Sequence, residues 1–328
     1  MTAWRNAAGR GRTRVMLTRR ALAAALPVAL ATPAAAAAEA GFPAFLAGLR
    51  AEAAGRGIRP VVLNQALSGL RPDPTVLQRD RHQPEFTMTW AHYRHLLVTP
   101  ARIAAGRQAF RAHRGLFRQV ADRFGVDPAP ILGIWGIESN YGTTTGDFRI
   151  IDALATLAWG SDRGRFFRAQ LLDALHILND GDIGVAAMTG SWAGAMGQPQ
   201  FMPSAYLRYA VDITGSGRRN IWTSVPDVIA SIANYLAHSG WRRGQAWGVA
   251  ARVTAPVPAS GTRDAAAWRR DGVVTEGVPP PGPLRLVRPA GAGGPAFLAG
   301  ANFAAIRRYN PSDFYALAVA LVGQRIVA

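Results

Sequence analysis

The sequence predicts a mainly α protein with a small β portion, and three observations carry that expectation. Residues 42–124 repeat short apolar patterns at helical spacing, broken at Gly55-Arg56-Gly57, at Gly69-Leu70-Arg71-Pro72-Asp73-Pro74 and at Thr99-Pro100. Residues 127–247 carry the clearest helical patterning, again joined by glycine-rich turns. From residue 254 to 300 proline and glycine accumulate, with Leu284-Arg285-Leu286-Val287 as a candidate strand. This third stretch reads as a partly β insertion, because Ala265-Ala266-Ala267-Trp268 and Pro295-Ala296-Phe297-Leu298 supply packing residues that a disordered segment lacks.

In chain order the expected parts are a leader over residues 1–38, an N-terminal helical part over 41–125, a helical core over 126–250, the small β or irregular subdomain over 251–300, and a C-terminal helix over 301–328 that returns to the core. The leader is read from a basic stretch ending at Arg19-Arg20, the Ala/Leu/Val run after it, and Ala-rich sequence with an A-x-A cleavage pattern near Ala38. Pro27, Pro33 and the shortness of the run argue against a permanent membrane anchor. Thr18-Arg19-Arg20-Ala21-Leu22 adds a weak twin-arginine pattern. In the last helix, expected from Asp313 to about Ile326, Phe314, Leu317, Ala318 and Leu321 share one face.

The 328 residues include no cysteine, which excludes disulfides, thiolate metal sites and a lipid anchor through cysteine. Every basic residue is arginine, and the formal charge is +17. Arg5, Arg10, Arg12, Arg14, Arg19 and Arg20 lie in the leader, leaving about +11 for the remainder. No arginine run is interleaved with aromatics in a recognisable module, so nucleic acid is not the expected partner. For an exported chain, an anionic wall polymer or membrane surface suits this charge better.

One carboxylate stands where an apolar residue is expected. Asp127 before Pro128 reads as an N-cap, Gly142 as a stop, and between them Ile131, Ile134, Trp135 and Glu138 recur at helical spacing. Desolvation by Trp135 and Ile134, and the negative end of the helix, both favour the protonated form of Glu138. A carboxyl kept protonated near neutral pH is a general acid; the alternative is a glutamate at a frayed helix end, turned to water. The second constellation is Gly190-Ser191-Trp192-Ala193-Gly194-Ala195-Met196-Gly197-Gln198-Pro199-Gln200-Phe201-Met202-Pro203. Its small residues admit close backbone approach, and Ser191 and Gln200 offer the uncharged hydrogen bonds that sugar amides and hydroxyls take. A tight structural loop is the competing reading.

Glu138-Ser139-Asn140-Tyr141-Gly142, Ile151-Asp152-Ala153-Leu154-Ala155-Thr156-Leu157, the run from Ser191 to Pro203, Ser231-Ile232-Ala233-Asn234-Tyr235 and Arg308-Tyr309-Asn310-Pro311-Ser312 follow one another in that order. Together they resemble the membrane-bound lytic murein transglycosylase B family, over nearly all of the chain after the leader. The resemblance implies a lysozyme-like helical core and a periplasmic enzyme acting on the glycan strands of peptidoglycan. It implies cleavage of the β-1,4 bond between N-acetylmuramic acid and N-acetylglucosamine without water, leaving 1,6-anhydromuramoyl ends. On the same basis Glu138 is the acid/base, and Ser191, Gln200, Tyr235, Tyr309 and Asn310 bind substrate. Tyr93 and Arg163 join them on a looser match.

The residues themselves fit such chemistry. Ordinary glycosidases flank the bond with two carboxylates. Near Glu138 only Asp147 and Asp152 are close in sequence, and Asp152 reads as the N-cap of the next helix. Members of the family often carry a calcium loop; the equivalent here, Asp212-Ile213-Thr214-Gly215-Ser216-Gly217-Arg218-Arg219-Asn220, has Thr223 where a bidentate glutamate is wanted. Asp227 has a rival role in a capping box, Ser224-Val225-Pro226-Asp227. No metal and no cofactor are therefore expected. A hydrolytic muramidase, and a non-catalytic peptidoglycan-binding scaffold, stay open as alternatives.

Overall fold

A computed structural model describes residues 33–81, 88–257 and 261–328, with side chains from residue 41 onward. Residues 1–32, most of the expected leader, lie outside the described residues. The N-terminal half is a succession of helices: α1 (Pro33–Gly55), α2 (Pro60–Leu67), α3 (Pro74–Arg81), α4 (Trp90–Leu97), α5 (Pro100–Ala112), α6 (Arg114–Phe124) and α7 (Pro128–Ser139). Proline opens α2, α5 and α7, where its fixed φ suits the first turn and its missing N–H is no loss. A two-residue strand β1 (Phe148–Arg149) leads into α8 (Ile150–Gly160) and α9 (Gly164–Asp180), and pairs antiparallel with β2 (Thr189–Gly190). Then follow α10 (Pro203–Tyr209) and α11 (Val225–His238).

The proline-rich stretch is a five-stranded antiparallel sheet of β3 (Gly248–Val253), β4 (Thr262–Arg263), β5 (Val273–Thr275), β6 (Leu284–Val287) and β7 (Ala296–Ala299), in the order β4-β6-β7-β3-β5. Between β4 and β5 lies α12 (Ala265–Arg270), whose buried Trp268 donates its indole N–H to the Leu284 carbonyl and gives the sheet its own small core. The chain closes with α13 (Ala301–Tyr309) and α14 (Asp313–Val327).

Two hydrophobic clusters divide the helices. One joins α1, α2, α8 and α9 to Phe201, Tyr206 and Trp222; the other joins α6, α7, α11, α13 and α14. Tyr309 packs against both. In the second cluster α7 and α14 approach backbone to backbone. A Cβ on Gly133 would lie 2.2 Å from the Val319 carbonyl oxygen, and one on Gly323 would lie 2.1 Å from that of Ala129. Only glycine permits this approach.

Both helices are buried nearly all round, which differs from the one-sided stripes expected of them. On α7 Pro130, Leu132, Gly133 and Gly136 are buried along with Ile131, Ile134 and Trp135. On α14 the buried set includes Tyr315, Ala316, Val319, Val322 and Ile326, whereas Phe314 and Leu321 are only partly buried. A helix surrounded by others has no polar face for periodicity to reveal. Among the described residues no helix is long and apolar enough to cross a membrane.

Candidate active site

The C-terminal end of α7 is unusual in its backbone. The helix stops at Ser139, ahead of the expected Gly142, and Asn140, Tyr141 and Gly142 all take the left-handed conformation, with φ of 47°, 58° and 86°. Two of these are not glycine, and such strain persists only where the surroundings hold it. Here the Ser139 hydroxyl accepts from the Gly142 N–H at 3.0 Å and the Tyr141 N–H reaches the Trp135 carbonyl at 3.2 Å. The Tyr141 ring meets the Trp135 indole edge-on. At the other end of the helix, Asp127 occupies the N-cap position without capping through its side chain. Its carboxylate instead accepts from the Trp241 indole and the Gly244 N–H, tying α7 to the approach to β3.

Glu138 sits at this rigid end, half-buried. Desolvation pushes its carboxyl up to about 7, while a hydrogen bond from Tyr315 pulls the other way. That bond is short, the Tyr315 hydroxyl donating to Oε1 at 2.6 Å. Tyr315 is itself buried on the first turn of α14. Sequence reasoning missed it, since an aromatic on an apolar helix reads as core; its place six residues after Tyr309 was the available signal.

From Tyr315 an aromatic wall continues. Its ring stacks on Tyr309 with centroids 6.5 Å apart, Tyr309 meets Tyr235 at 4.6 Å, and Tyr235 meets Tyr209 at 4.5 Å. Phe201 contacts both Tyr235 and Tyr309. The tyrosines are pinned by their hydroxyls, Tyr309 donating to the Pro199 carbonyl at 2.6 Å and Tyr235 to that of Arg308 at 2.5 Å. Burial pushes the hydroxyls of Tyr309 and Tyr315 upward, and the Glu138 charge adds to this, so both stay protonated. Tyr93 on α4 is close enough to Tyr315 to add to that shift, and its ring lies against Phe314. Asn310 ends α13 and accepts the Ser312 N–H at 3.1 Å, shaping the link between Tyr309 and Tyr315.

The second wall is the turn at 190–201. A Cβ on Gly146 would meet the Gly190 carbonyl oxygen at 2.2 Å, so this turn touches the segment that leaves α7. The Ser191 hydroxyl accepts the Ala195 N–H at 3.0 Å, as the tight-loop reading anticipates, and its own proton is left for another acceptor. Gln200, at φ 52°, donates its amide N–H groups to the carbonyls of Thr145 and Gly197. Gln198 is the second residue sequence reasoning passed over: it accepts from the Trp135 indole at 2.8 Å, donates to the Trp222 carbonyl at 2.9 Å, and is buried. The run Gln198-Pro199-Gln200 offered two glutamines, and spacing alone could not rank them.

Glu138, Tyr315, Tyr309, Tyr235 and Tyr93 are thus brought together, with Ser191 and Gln200 on the adjoining turn. Arg163 is placed apart, at the turn between α8 and α9, paired with Asp80 at 3.1 Å and lying over the Phe167 ring. Asp152 is not the N-cap of α8, a position held by Arg149. It lies in the first turn, where desolvation raises its pKa and one carboxylate oxygen has no hydrogen-bond partner, since the helix starts earlier than Asp152 suggests.

The 212–220 loop does not fit a calcium ion. Asp212 accepts from the Thr214 hydroxyl and the N–H groups of Gly215 and Ser216 on one oxygen, and from Gly217 on the other. Asp227 accepts the N–H groups of Ile213 and Asn220, so its carboxylate closes the loop instead of completing a capping box, although Ser224 does cap α11. Arg219 pairs with Asp180 and Asp182. Carboxylates already engaged by amides and a guanidinium leave no cluster of free oxygens for a hard cation. Among the described residues no group of three or more His, Cys, Asp or Glu side chains can hold a metal.

A helical core that presents one desolvated carboxyl at a helix end, between a tyrosine wall and an amide-bearing turn, defines a glycan-cleaving enzyme of the lysozyme-like class. The family model described as "Transglycosylase SLT domain" matches residues 41–324, and the chain belongs to that family. It is 35% identical, over 245 residues, to the membrane-bound lytic murein transglycosylase B of Escherichia coli, a match covering 72% of this chain and 67% of that protein. Its fold superposes on SltB3 from Pseudomonas aeruginosa in complex with NAG-NAM-pentapeptide at a TM-score of 0.84 and 41% identity, covering 88% of this chain and 80% of the other. The Escherichia coli lytic transglycosylase Slt35 in complex with calcium matches at 0.76 and 30%, covering 86% and 92%.

Proposed function

We propose that the chain cleaves the β-1,4 bond between N-acetylmuramic acid and N-acetylglucosamine in peptidoglycan without water, with Glu138 as sole acid/base. The single observation that carries this reading is the carboxyl of Glu138, raised to about 7 and faced by the hydroxyls of Tyr315 and Tyr309 with no second carboxylate contributing to its shift. A pKa near the operating pH suits a group that must both give and take a proton.

With Oε1 accepting from Tyr315, the transferable proton resides on Oε2. In the first step Oε2 gives that proton to the glycosidic oxygen as the C1–O bond breaks and N-acetylglucosamine leaves as an alcohol. The electron-poor C1 is stabilised by the carbonyl oxygen of the sugar's own N-acetyl group, which the free proton of Ser191 orients. In the second step the C6 hydroxyl oxygen of the same sugar bonds to C1, and its proton returns to Oε2. Atoms balance with no water consumed, and the enzyme is regenerated. Tyr235, Tyr309 and Tyr93 supply faces for the sugar rings, while Gln200 and Asn310 set the shape of the turn and the α13–α14 link. Arg163 meets the strand at a distance from the scissile bond.

The leader of residues 1–38 delivers the chain to the periplasm and is removed there, and the arginine-rich surface favours an anionic wall. Mass spectrometry of muropeptides after incubation with sacculi tests the reaction. Ends lighter by one water than hydrolysed ones support it, hydrated ends identify a muramidase, and unchanged sacculi identify a scaffold.

A further inference from the structure

We propose that Arg285, Asp313 and Arg307 form a positioning clamp through which the β-sheet holds the Tyr315 hydroxyl against Glu138. The proposal rests on the reading of Glu138 as the acid. Arg285 lies on β6, and its two terminal nitrogens grip Asp313 bidentately at 3.0 and 2.6 Å. Its guanidinium also lies over the ring of Phe303 on α13. Arg307, in the last turn of α13, approaches the same carboxylate at 2.7 Å and donates to the Pro311 carbonyl, also at 2.7 Å. Three elements, β6, α13 and α14, therefore converge on one side chain.

Asp313 is the first residue of α14 and Tyr315 the third. A planar fork on a carboxylate fixes orientation as well as distance, which a single ion pair does not. The clamp consequently fixes the rotation of the first turn of α14, and with it where the Tyr315 hydroxyl points. It also braces the link from Tyr309 to Ser312, so the two stacked tyrosines share one support. Groups facing Glu138 are Tyr315 from α14 and Tyr309 from the end of α13, with Tyr93 of α4 facing Tyr315. Those facing Asp313 are Arg285 and Arg307.

A hydrogen bond to the ionised carboxylate lowers its pKa, so loosening Tyr315 must raise that of Glu138. The test is direct titration of Glu138 by carboxyl carbon NMR, assigned with Glu138→Gln, in Arg285→Met and in Asp313→Asn. Expected is an upward shift of about 0.5–1 pH unit in both variants, the size of one modest hydrogen bond. The pair of variants separates position from charge: acting through space, removing the arginine raises the pKa and neutralising the aspartate lowers it. In a Tyr315→Phe background neither variant should move Glu138 further. Arg285→Lys, which keeps the charge and loses the fork, should give a smaller shift of the same sign should Arg285→Met fail to fold. An unmoved titration accompanied by a lower Tm, shifts of opposite sign, or shifts that persist without the Tyr315 hydroxyl would each overturn the clamp. Because the readout is a titration, it stands or falls separately from whether Glu138→Gln abolishes turnover.

Discussion

Glu138 and Asp212 are both side-chain carboxyls, and the two regions that hold them treat them in opposite ways. Glu138 ends a helix buried on nearly all sides and receives one hydroxyl donor, so loss of water dominates and its pKa rises to about 7. Asp212 is half-buried on a loop; desolvation pushes its pKa upward, but the Thr214 hydroxyl and the N–H groups of Gly217, Ser216 and Gly215 outweigh it and bring the pKa to about 2. A carboxyl becomes a proton donor where the fold withholds donors from it, and a structural staple where the fold supplies them. Reactivity and loop closure are thus set by environment, not by residue type.

The largest effect should come from removing the proton at the first region. Glu138→Gln keeps the shape and can still accept from Tyr315, yet has no transferable proton, so release of anhydro-ended products should fall by about 10²–10⁴-fold with sacculus binding intact. Residual turnover within a factor of a few of the parent would assign the chemistry elsewhere.

The same variant measures what the raised pKa costs the fold. Because the folded pKa lies above the ordinary value of 4.5, protonated Glu138 is tolerated at low pH, and stability is lost as pH rises from 4.5 to about 7, above which the loss is complete. Glu138→Gln should therefore match the parent near pH 4, exceed it increasingly as pH rises from the ordinary value to about 7, and hold a constant advantage of roughly 3 kcal/mol at most from there to pH 9. Denaturant melts across that range give the difference directly, and a constant offset would contradict the desolvation account.

How much of this contrast was legible in the sequence depends on the kind of information involved. Local signals were readable: the proline-led start of α7, β6 at Leu284–Val287, the last helix from Asp313, and a carboxylate among apolar residues at Glu138. Signals that require a partner far along the chain were not. Tyr315 lies 177 positions from Glu138, and Gln198 lies 63 from Trp135. Four of the five sheet strands went unnamed: β4 and β5 are too short for period-two patterning to show, and β3 and β7 each carry two alanines, a residue depleted in strands. Asp127 does hold the N-cap position its sequence context gives it, though tertiary packing draws its carboxylate to Trp241 and Gly244, whereas Asp152 was misread because α8 starts two residues earlier, at Ile150.

At the second region the effects should be smaller and confined to stability. Asp212→Asn leaves the side chain in place but weakens its hold on the loop amides, so Tm should fall modestly at pH 7. The lowered pKa means that the Asp212 contribution is present above the ordinary value of 3.8 and is lost as pH falls through about 2. The gap between parent and variant should close over that window. The pH dependence of turnover should not change. A shifted turnover profile would mean that the two carboxyls are coupled and the contrast between their regions is false.

The smallest expected effect is none at all, on adding calcium. A ligand that binds only the folded state raises stability by mass action, about 2.7 kcal/mol at a hundredfold excess over Kd, so a silent titration is informative. The 212–220 loop, where the sequence resemblance implies a calcium loop, is the place where such a titration would register. Binding at 212–220 would require Asp212 to release its five hydrogen-bond donors, the Ser216 hydroxyl among them, and Asp227 to release two backbone amides, with Thr223 unable to supply a bidentate carboxylate. Arg218 and Arg219 in the same loop add like charge. The Tm should accordingly stay flat through millimolar calcium, in the parent and in Asp212→Asn alike. A rise that depends on calcium concentration and disappears in Asp212→Asn would show that the loop opens for the ion, and that its amide bonds are a resting arrangement, not the loop's settled state.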